Sequence, residues 1–280
     1  MRKTNLAAEL IRAKKEGYAI GAFNIFDYTS ARAVVAAAEE AEKPVILQTS
    51  VGTVKYYSPE GLFTMLEGLM KNAEVPVYLH LDHCTSVDFA KVCVDAGWDS
   101  IMIDASKEPL EENIRMTREA ADYAHRFQVC AEGELGIIEG VEEDIQSECG
   151  ELASYEECMH FVKESHVDFF APAIGTAHGV YRGVPKLNFE LVGKLGKNLS
   201  EPTVCHGGTG LSEETFQKLI SLGISKINIS TALKHAYIDG AKAYAAEHPE
   251  EYLPLKMEEM MYVRLREVAK KHIEIFSNGK

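Results

Sequence analysis

The chain reads as an α/β protein in one domain, a (β/α)8 or TIM barrel, on three observations. Eight short apolar runs recur at intervals of about 30 residues, the length of one strand-plus-helix unit. Helical patterns fill most of the intervals between them, and the chemically capable side chains fall at the C-terminal ends of the runs. A closed barrel of parallel strands delivers all those ends to one face. A barrel of ~250 residues would use nearly all of the 280 present, and no linker or second domain is visible. An open doubly wound sheet is the alternative arrangement of the same units.

The elements follow in order. MRKTNLAAELIRAKKEG is a charged amphipathic helix without the apolar stretch of a secretory signal. The first run, AIGAFNI (19–25), carries Asn24 near its end, and the helical pattern SARAVVAAAEEAEK follows. PVILQTS (44–50) ends on Ser50 before PEGLFTMLEGLMKN, and PVYLHLDH (76–83) ends on Asp82 and His83 before SVDFAKVCVDAG. DSIMIDAS (99–106) holds Asp104 and precedes PLEENIRMTREAADYAHRF; VCAEGELG (129–136) holds Glu132 and Glu134. VDFFAPAIG (167–175) leads to His178, PTVCHGG (202–208) contains His206, and SKINIST (225–231) contains Asn228. Several runs are apolar almost throughout, as strands covered on both faces must be. Two connections, GIIEGVEEDIQSECGELA and GVYRGVPKLN, are long, polar and glycine-containing, and are expected to be mobile lids over the face that carries the site. Helices from about 231 to 248 and from about 258 to 276 are expected to cap the barrel or pair subunits.

A formal net charge of −14 argues against nucleic acid or an anionic membrane as partner. The six cysteines form no CxxC pair, so neither a disulfide framework nor a cysteine zinc site is expected. No stretch approaches ~18 uninterrupted apolar residues. The expectation is a soluble cytoplasmic protein.

His83, His178 and His206 stand 95 and 28 residues apart, so no local helix or loop can bring them together, whereas a barrel mouth can. Three imidazoles with an open fourth position describe a catalytic rather than a structural zinc site. Asp82 adjoins His83 and could move a proton beside the metal; the alternative is a carboxylate that only orients an imidazole. GGTGLSEET sets Gly207, Gly208 and Thr209 before a helix, and NISTALK repeats such a turn one unit later. Helix N-termini of this kind cradle phosphate, and barrels bind it in the loops after strands seven and eight. The other seven histidines mostly fit helices or loops, with His80 the exception. His80, which shares a strand face with Asp82, is read as core packing ahead of a role beneath the metal.

Together LDH (81–83), MIDAS (102–106), AEGELG (131–136), the acidic EED of the next loop, GTAHG (175–179) and HGGTG (206–210) resemble the class II, metal-dependent aldolases that cleave ketose 1,6-bisphosphates, of the fructose- and tagatose-bisphosphate kind. The likeness runs over about four-fifths of the chain, from GAFN to NIST. It implies that His83, His178 and His206 bind Zn2+, with Asp104 and Glu134 as supporting carboxylates. It implies that Asp82 is the acid/base at the C4 oxygen and that Glu143 exchanges the C3 proton. Asn24, Ser50, Gly179, Gly207, Gly208, Thr209, Asn228, Ile229, Ser230 and Thr231 fall to substrate binding, with a monovalent cation (Na+ or K+) near the phosphate. A homodimer or homotetramer acting on a phosphorylated ketose is implied, without nucleic acid or membrane.

One departure is visible. Many such aldolases carry Asp-Pro-Arg before the last helix, where this chain reads HPEEYLPLKMEEMMYVRLRE. Another 1-phosphoketose, such as a deoxy-keto-gluconate phosphate or a sugar with a different distal anion, is the alternative substrate. A Schiff-base aldolase would need a strand-end lysine, and Lys226, near the start of its run, is expected to point outward or pack. An amidohydrolase would need HxH where this chain has FNIF. A non-catalytic barrel subunit would be expected to lose part of the histidine set, which is complete here.

Overall fold

A computed structural model describes residues 5–142, 145–147, 150–179, 183 and 185–280. The eight barrel strands are β1 (Ile20–Asn24), β2 (Val45–Ser50), β3 (Val77–Cys84), β4 (Ser100–Ile103), β5 (Cys130–Leu135), β8 (Phe169–Pro172), β10 (Thr203–Cys205) and β11 (Ile224–Ile229). They close in the order β1-β11-β10-β8-β5-β4-β3-β2, every neighbouring pair parallel. Each of the eight apolar runs therefore is a barrel strand, and the open-sheet alternative falls.

Of the remaining strands, two belong to the loop after β5 and one to the loop after β8. Within the first of the two expected lids, β6 (Glu139–Glu142) and β7 (Ile145–Ser147) form an antiparallel hairpin, and β6 also pairs with β9 (Ala177–His178). The unpaired N–H and C=O groups of so long a connection find partners in one another. Gly140, at φ +111°, is what allows the approach: a Cβ there would run into the backbone of His178.

The helices are α1 (Leu6–Glu16), α2 (Tyr28–Glu40), α3 (Val51–Tyr57), α4 (Pro59–Asn72), α5 (Val87–Ala96), α6 (Leu110–His125), α7 (Tyr155–Ser165), α8 (Phe189–Asn198), α9 (Glu213–Ser221), α10 (Thr231–Glu247) and α11 (Pro254–Ser277). Several start on a Ser, Asn or Asp whose side chain accepts a first-turn N–H, among them Asp27, Ser154 and Ser212. α11 begins four residues earlier than the sequence pattern suggests, with Pro254 at its first position, where a missing N–H costs nothing. It packs along α2 and α9 beside β1, so it fills the eighth place in the helical ring. Among the described residues no helix is long and apolar enough to cross a membrane.

Strand alternation sorts the barrel interior by height. On β1, Ile20, Ala22 and Asn24 face inward in turn; on β3 the series is Tyr78, His80, Asp82; on β5 it is Cys130, Glu132, Glu134. The low positions Ile20, Ala22, Ile46, Tyr78, Cys130, Phe169 and Val204 make an apolar floor, which Leu6, Leu10 and Ala13 of α1 close from below. The upper positions are polar. Outward-facing residues such as Phe23, Leu47, Leu79 and Ile101 pack beneath the helices, and Cys84 and Cys205 lie in that same outer core. The described cysteines, Cys84, Cys93, Cys130, Cys158 and Cys205, are free and buried, as packing residues should be.

Leu10 is fully buried in that floor. Leu10→Ala should lower the unfolding free energy by about 2–5 kcal/mol, read from urea denaturation. The polar end of the barrel is remote from it, so activity per folded molecule should not change.

Candidate active site

The polar residues at the C-terminal ends of the strands meet at the barrel mouth. His83, His178 and His206 present ring nitrogens that all lie within 4.8 Å of one another, and all three side chains are buried. The ring centroids of His83 lie 4.9 Å from His178 and 4.7 Å from His206.

The carboxylates behind two of these rings decide which nitrogen faces the centre. Asp104 Oδ2 lies 2.8 Å from His83 Nδ1, and Glu132 Oε1 lies 2.7 Å from His206 Nε2. An ionised carboxylate can only accept, so each of those nitrogens carries hydrogen and donates. The opposite nitrogens, His83 Nε2 and His206 Nδ1, hold lone pairs when the rings are neutral, and they face each other at 2.9 Å. Two lone pairs at that distance repel unless a cation or a proton lies between them. With His178 beside them, and with carboxylates orienting the rings from behind, the donor set fits a divalent metal ion.

The electrostatics point the same way. Burial, with the charge on neighbouring His83 second, holds His206 well below the usual histidine range. The same two causes bring His178 down to about 3. Both are therefore neutral, the form that binds metal. Burial also opposes charge on His83, but Asp82, Asp104 and Glu134 together outweigh it and hold that ring well above its usual value. Burial and then Asp104 push Glu134 well above the ordinary carboxylate range. Burial opposes ionisation of Asp104 too, yet its contacts with His83 and Ser106 win and keep it well below. Asp82, Asp104 and Glu134 thus crowd one imidazole, an arrangement that suits a cation. His83, Asp104 and Glu134 also lie close enough to form a second donor set.

Asp82 and His83 are adjacent in sequence, so regular alternation would send one of them out of the barrel. A bulge resolves this. Leu81 pairs with Ile101 and Cys84 with Ile103, so two residues of β3 oppose Met102 alone. His83 takes up the extra residue at φ +47° and turns its ring to the mouth with Asp82. The carboxylate of Asp82 is 2 % exposed. Oδ2 accepts from Asn24 Nδ2 at 3.1 Å, and Asn24 Oδ1 in turn accepts from Gln48 Nε2 at 2.9 Å. Oδ1 has no hydrogen-bond partner and lies 4.0 Å from His83 Nε2. That is too long to orient the ring, a task Asp104 already performs.

The residues read as substrate contacts separate into groups. Asn24 is buried beneath Asp82 and positions it. Ser50 caps α3, accepting from the Thr53 N–H. Gly207, at φ +66°, comes so close to β9 that a Cβ would sit 2.5 Å from the Ala177 carbonyl, and a Cβ on Gly208 would sit 2.8 Å from that of Asn228. Thr209 Oγ1 accepts from the Ala232 N–H at the start of α10, and Thr231 is the first residue of that helix. Ser230 precedes it without a side-chain cap, and its buried Oγ has no hydrogen-bond partner. Gly179 adopts φ +88° just after His178, and Ile229 ends β11 with its side chain in the outer core. Glu143 lies outside the described residues.

Three residues were undervalued in the sequence. Lys226 does not point outward: it is fully buried inside the barrel, its Nζ 2.8 Å from Glu132 Oε2 and 2.9 Å from Asn228 Oδ1. His80 is more than core packing, with Nε2 3.4 Å from Glu132 and Nδ1 2.8 Å from Ser100 Oγ. Glu132, noted only as a strand-end acid, is the residue that fixes His206. Two-residue spacing was the available signal, since Lys226 shares its strand face with Asn228 and Glu132 with Glu134.

A cleft of about 940 Å³ at the other end of the barrel, lined in part by Trp98, Asp99, His125 and Asp168, offers no comparable chemistry. Asp99 and Asp168 there already accept the backbone N–H groups of Leu79 and Ala131.

Comparison with known proteins agrees with this geometry. The family model described as fructose-bisphosphate aldolase class-II matches residues 4–280. The fructose-bisphosphate aldolase of Geobacillus stearothermophilus is 42% identical over 252 residues, covering 89% of this chain and 87% of that one. That of Staphylococcus aureus (strain Mu50 / ATCC 700699) is 38% identical over 275 residues, 96% of each. The crystal structure of the YdjI aldolase of Escherichia coli K12 superposes with a TM-score of 0.86 at 34% identity, covering 99% of this chain and 98% of that one.

Proposed function

The chain belongs to the class-II fructose-bisphosphate aldolase family, and from that premise we propose that it reversibly cleaves a ketose 1,6-bisphosphate, of fructose or tagatose configuration, into dihydroxyacetone phosphate and glyceraldehyde 3-phosphate. The observation that carries this reading is the meeting of His83, His178 and His206 beside the unpartnered oxygen of Asp82.

His83 Nε2, His206 Nδ1 and His178 would hold Zn2+, and a divalent cation there supplies Lewis acidity toward the ketose carbonyl and the hydroxyl beside it. The chain's own groups do the rest. Asp82 Oδ1 takes the proton of the C4 hydroxyl as the C3–C4 bond breaks, while Asn24 holds the other carboxylate oxygen in place. Glu143 is our candidate for returning a proton to C3. The C1 phosphate is assigned to the Gly207–Gly208–Thr209 turn and the N-terminus of α10, where the uncapped Ser230 and the helix dipole favour an anion. A monovalent cation near that phosphate, a homodimer or homotetramer, and a cytoplasmic setting complete the proposal.

The distal end is tested by experiment. Cleavage rates should be compared for fructose 1,6-bisphosphate, tagatose 1,6-bisphosphate and 1-phosphoketoses bearing a carboxylate or no charge at the far end. The bisphosphates are expected to give a kcat/KM at least tenfold above the rest. Preference for a different distal group would keep the lyase chemistry and replace the substrate.

A further inference from the structure

One layer below the three histidines, the barrel interior holds a charged group that the proposed chemistry does not use. Lys226 on β11, fully buried, reaches inward to Glu132 on β5, itself fully buried. The same ammonium donates to Asn228 Oδ1. Both partners touch His206: Glu132 Oε1 lies 2.7 Å and Asn228 Nδ2 lies 3.3 Å from its Nε2. The contacts cross the barrel from β11 to β5, so strand pairing does not impose them. A buried ion pair is costly to assemble and is weak grounds for stability. Its geometry, however, leads to one ring nitrogen.

We propose that Lys226 is a positioning residue for the cation site, fixing His206 through Glu132. This rests on the reading of His83, His178 and His206 as metal ligands. Lys226 occupies one oxygen of Glu132, which leaves the other aimed at His206 Nε2. An imidazole gripped at Nε2 by a carboxylate presents Nδ1 as the donor atom, in one tautomer and one orientation. Without the ammonium, Glu132 is free to turn toward His80, 3.4 Å away on its other side, and the grip on His206 loosens. Lys226 therefore acts two contacts away from the metal. It does so as an ion-pair partner, not as a Schiff-base nucleophile, because Glu132 and Asn228 engage its Nζ.

The test is Co2+ binding to the metal-stripped full-length protein, followed by competition with a chromophoric chelator and by the visible spectrum of the bound ion. Lys226→Met is expected to bind Co2+ about 10- to 100-fold more weakly, the range for groups that orient a metal-binding histidine, and with an altered visible band. Should that variant fail to fold, Lys226→Met with Glu132→Gln removes both buried charges at once and carries the same expectation. Wild-type affinity and spectrum in either folded variant would overturn the proposal. Covalent trapping of substrate on Lys226 by borohydride would also overturn it. Wild-type protein that binds Co2+ no better than His178→Ala would instead overturn the metal reading beneath it.

Discussion

Stripping the divalent cation with a chelator is expected to abolish cleavage, and a stoichiometric addition of Zn2+ to restore it. The expectation follows from the way the two best-oriented rings are held. Asp104 and Glu132 hold the far sides of His83 and His206, leaving two nitrogens 2.9 Å apart that only a proton or a cation between them can reconcile. That arrangement has no catalytic use without a metal cation, since a proton shared between two buried rings offers a ketose no Lewis acid. Lewis-acid stabilisation of a developing charge is worth several kcal/mol, so the loss should be about 10³-fold or more. His178→Ala should reproduce it with the barrel intact, because His178 stands on β9, outside the eight-stranded ring. Metal content by elemental analysis, thermal melting and turnover on the same sample decide the matter. Full turnover in protein shown to be free of metal would end the zinc reading.

How much of this was legible beforehand depends on the kind of signal each part leaves. The eight strands were visible because strands covered on both faces become continuous apolar runs, such as PVILQTS and VDFFAPAIG. The histidines were visible because each follows such a run, where a barrel gathers its chemistry. The bulge in β3 was not visible. No residue type marks it, and only the paired register of β3 with β4 shows two residues standing opposite Met102. Without it, Asp82 and His83 could not both face the mouth.

Lys226 was missed for a different reason. A lysine near the start of a strand ordinarily lies at a wet edge, and its buried partner sits on a strand far away in sequence. Only closure of the barrel brings Glu132 within 2.8 Å of it. The hairpin β6–β7 was hidden by composition, since polar, glycine-containing segments read as irregular loops whether or not they pair. Local patterns thus named the residues at the mouth, and tertiary register decided which of them support one another.

Asp82→Asn should lower kcat by about 10²- to 10⁴-fold while leaving cation content and melting temperature close to those of the parent. The substitution keeps the shape of the side chain. Its amide oxygen can still accept from Asn24 Nδ2, so the Gln48–Asn24 chain beneath it survives. What it loses is the capacity of Oδ1 to take a proton, and that is the atom the fold leaves without a partner in a buried position. Leaving a buried acceptor unsatisfied costs about 1–3 kcal/mol, which is hard to account for in an aspartate that only fills space. Nor does it orient His83: Asp104 holds that ring at 2.8 Å, whereas Asp82 stands 4.0 Å from its other nitrogen. A separation of roles follows. Loss of a ligand such as His178 should remove metal and turnover together, while loss of Asp82 should remove turnover and keep the metal. An Asp82→Asn protein that turns over at the parental rate would take the proton-transfer role away from this residue. One that loses its metal would make Asp82 part of the cation's support.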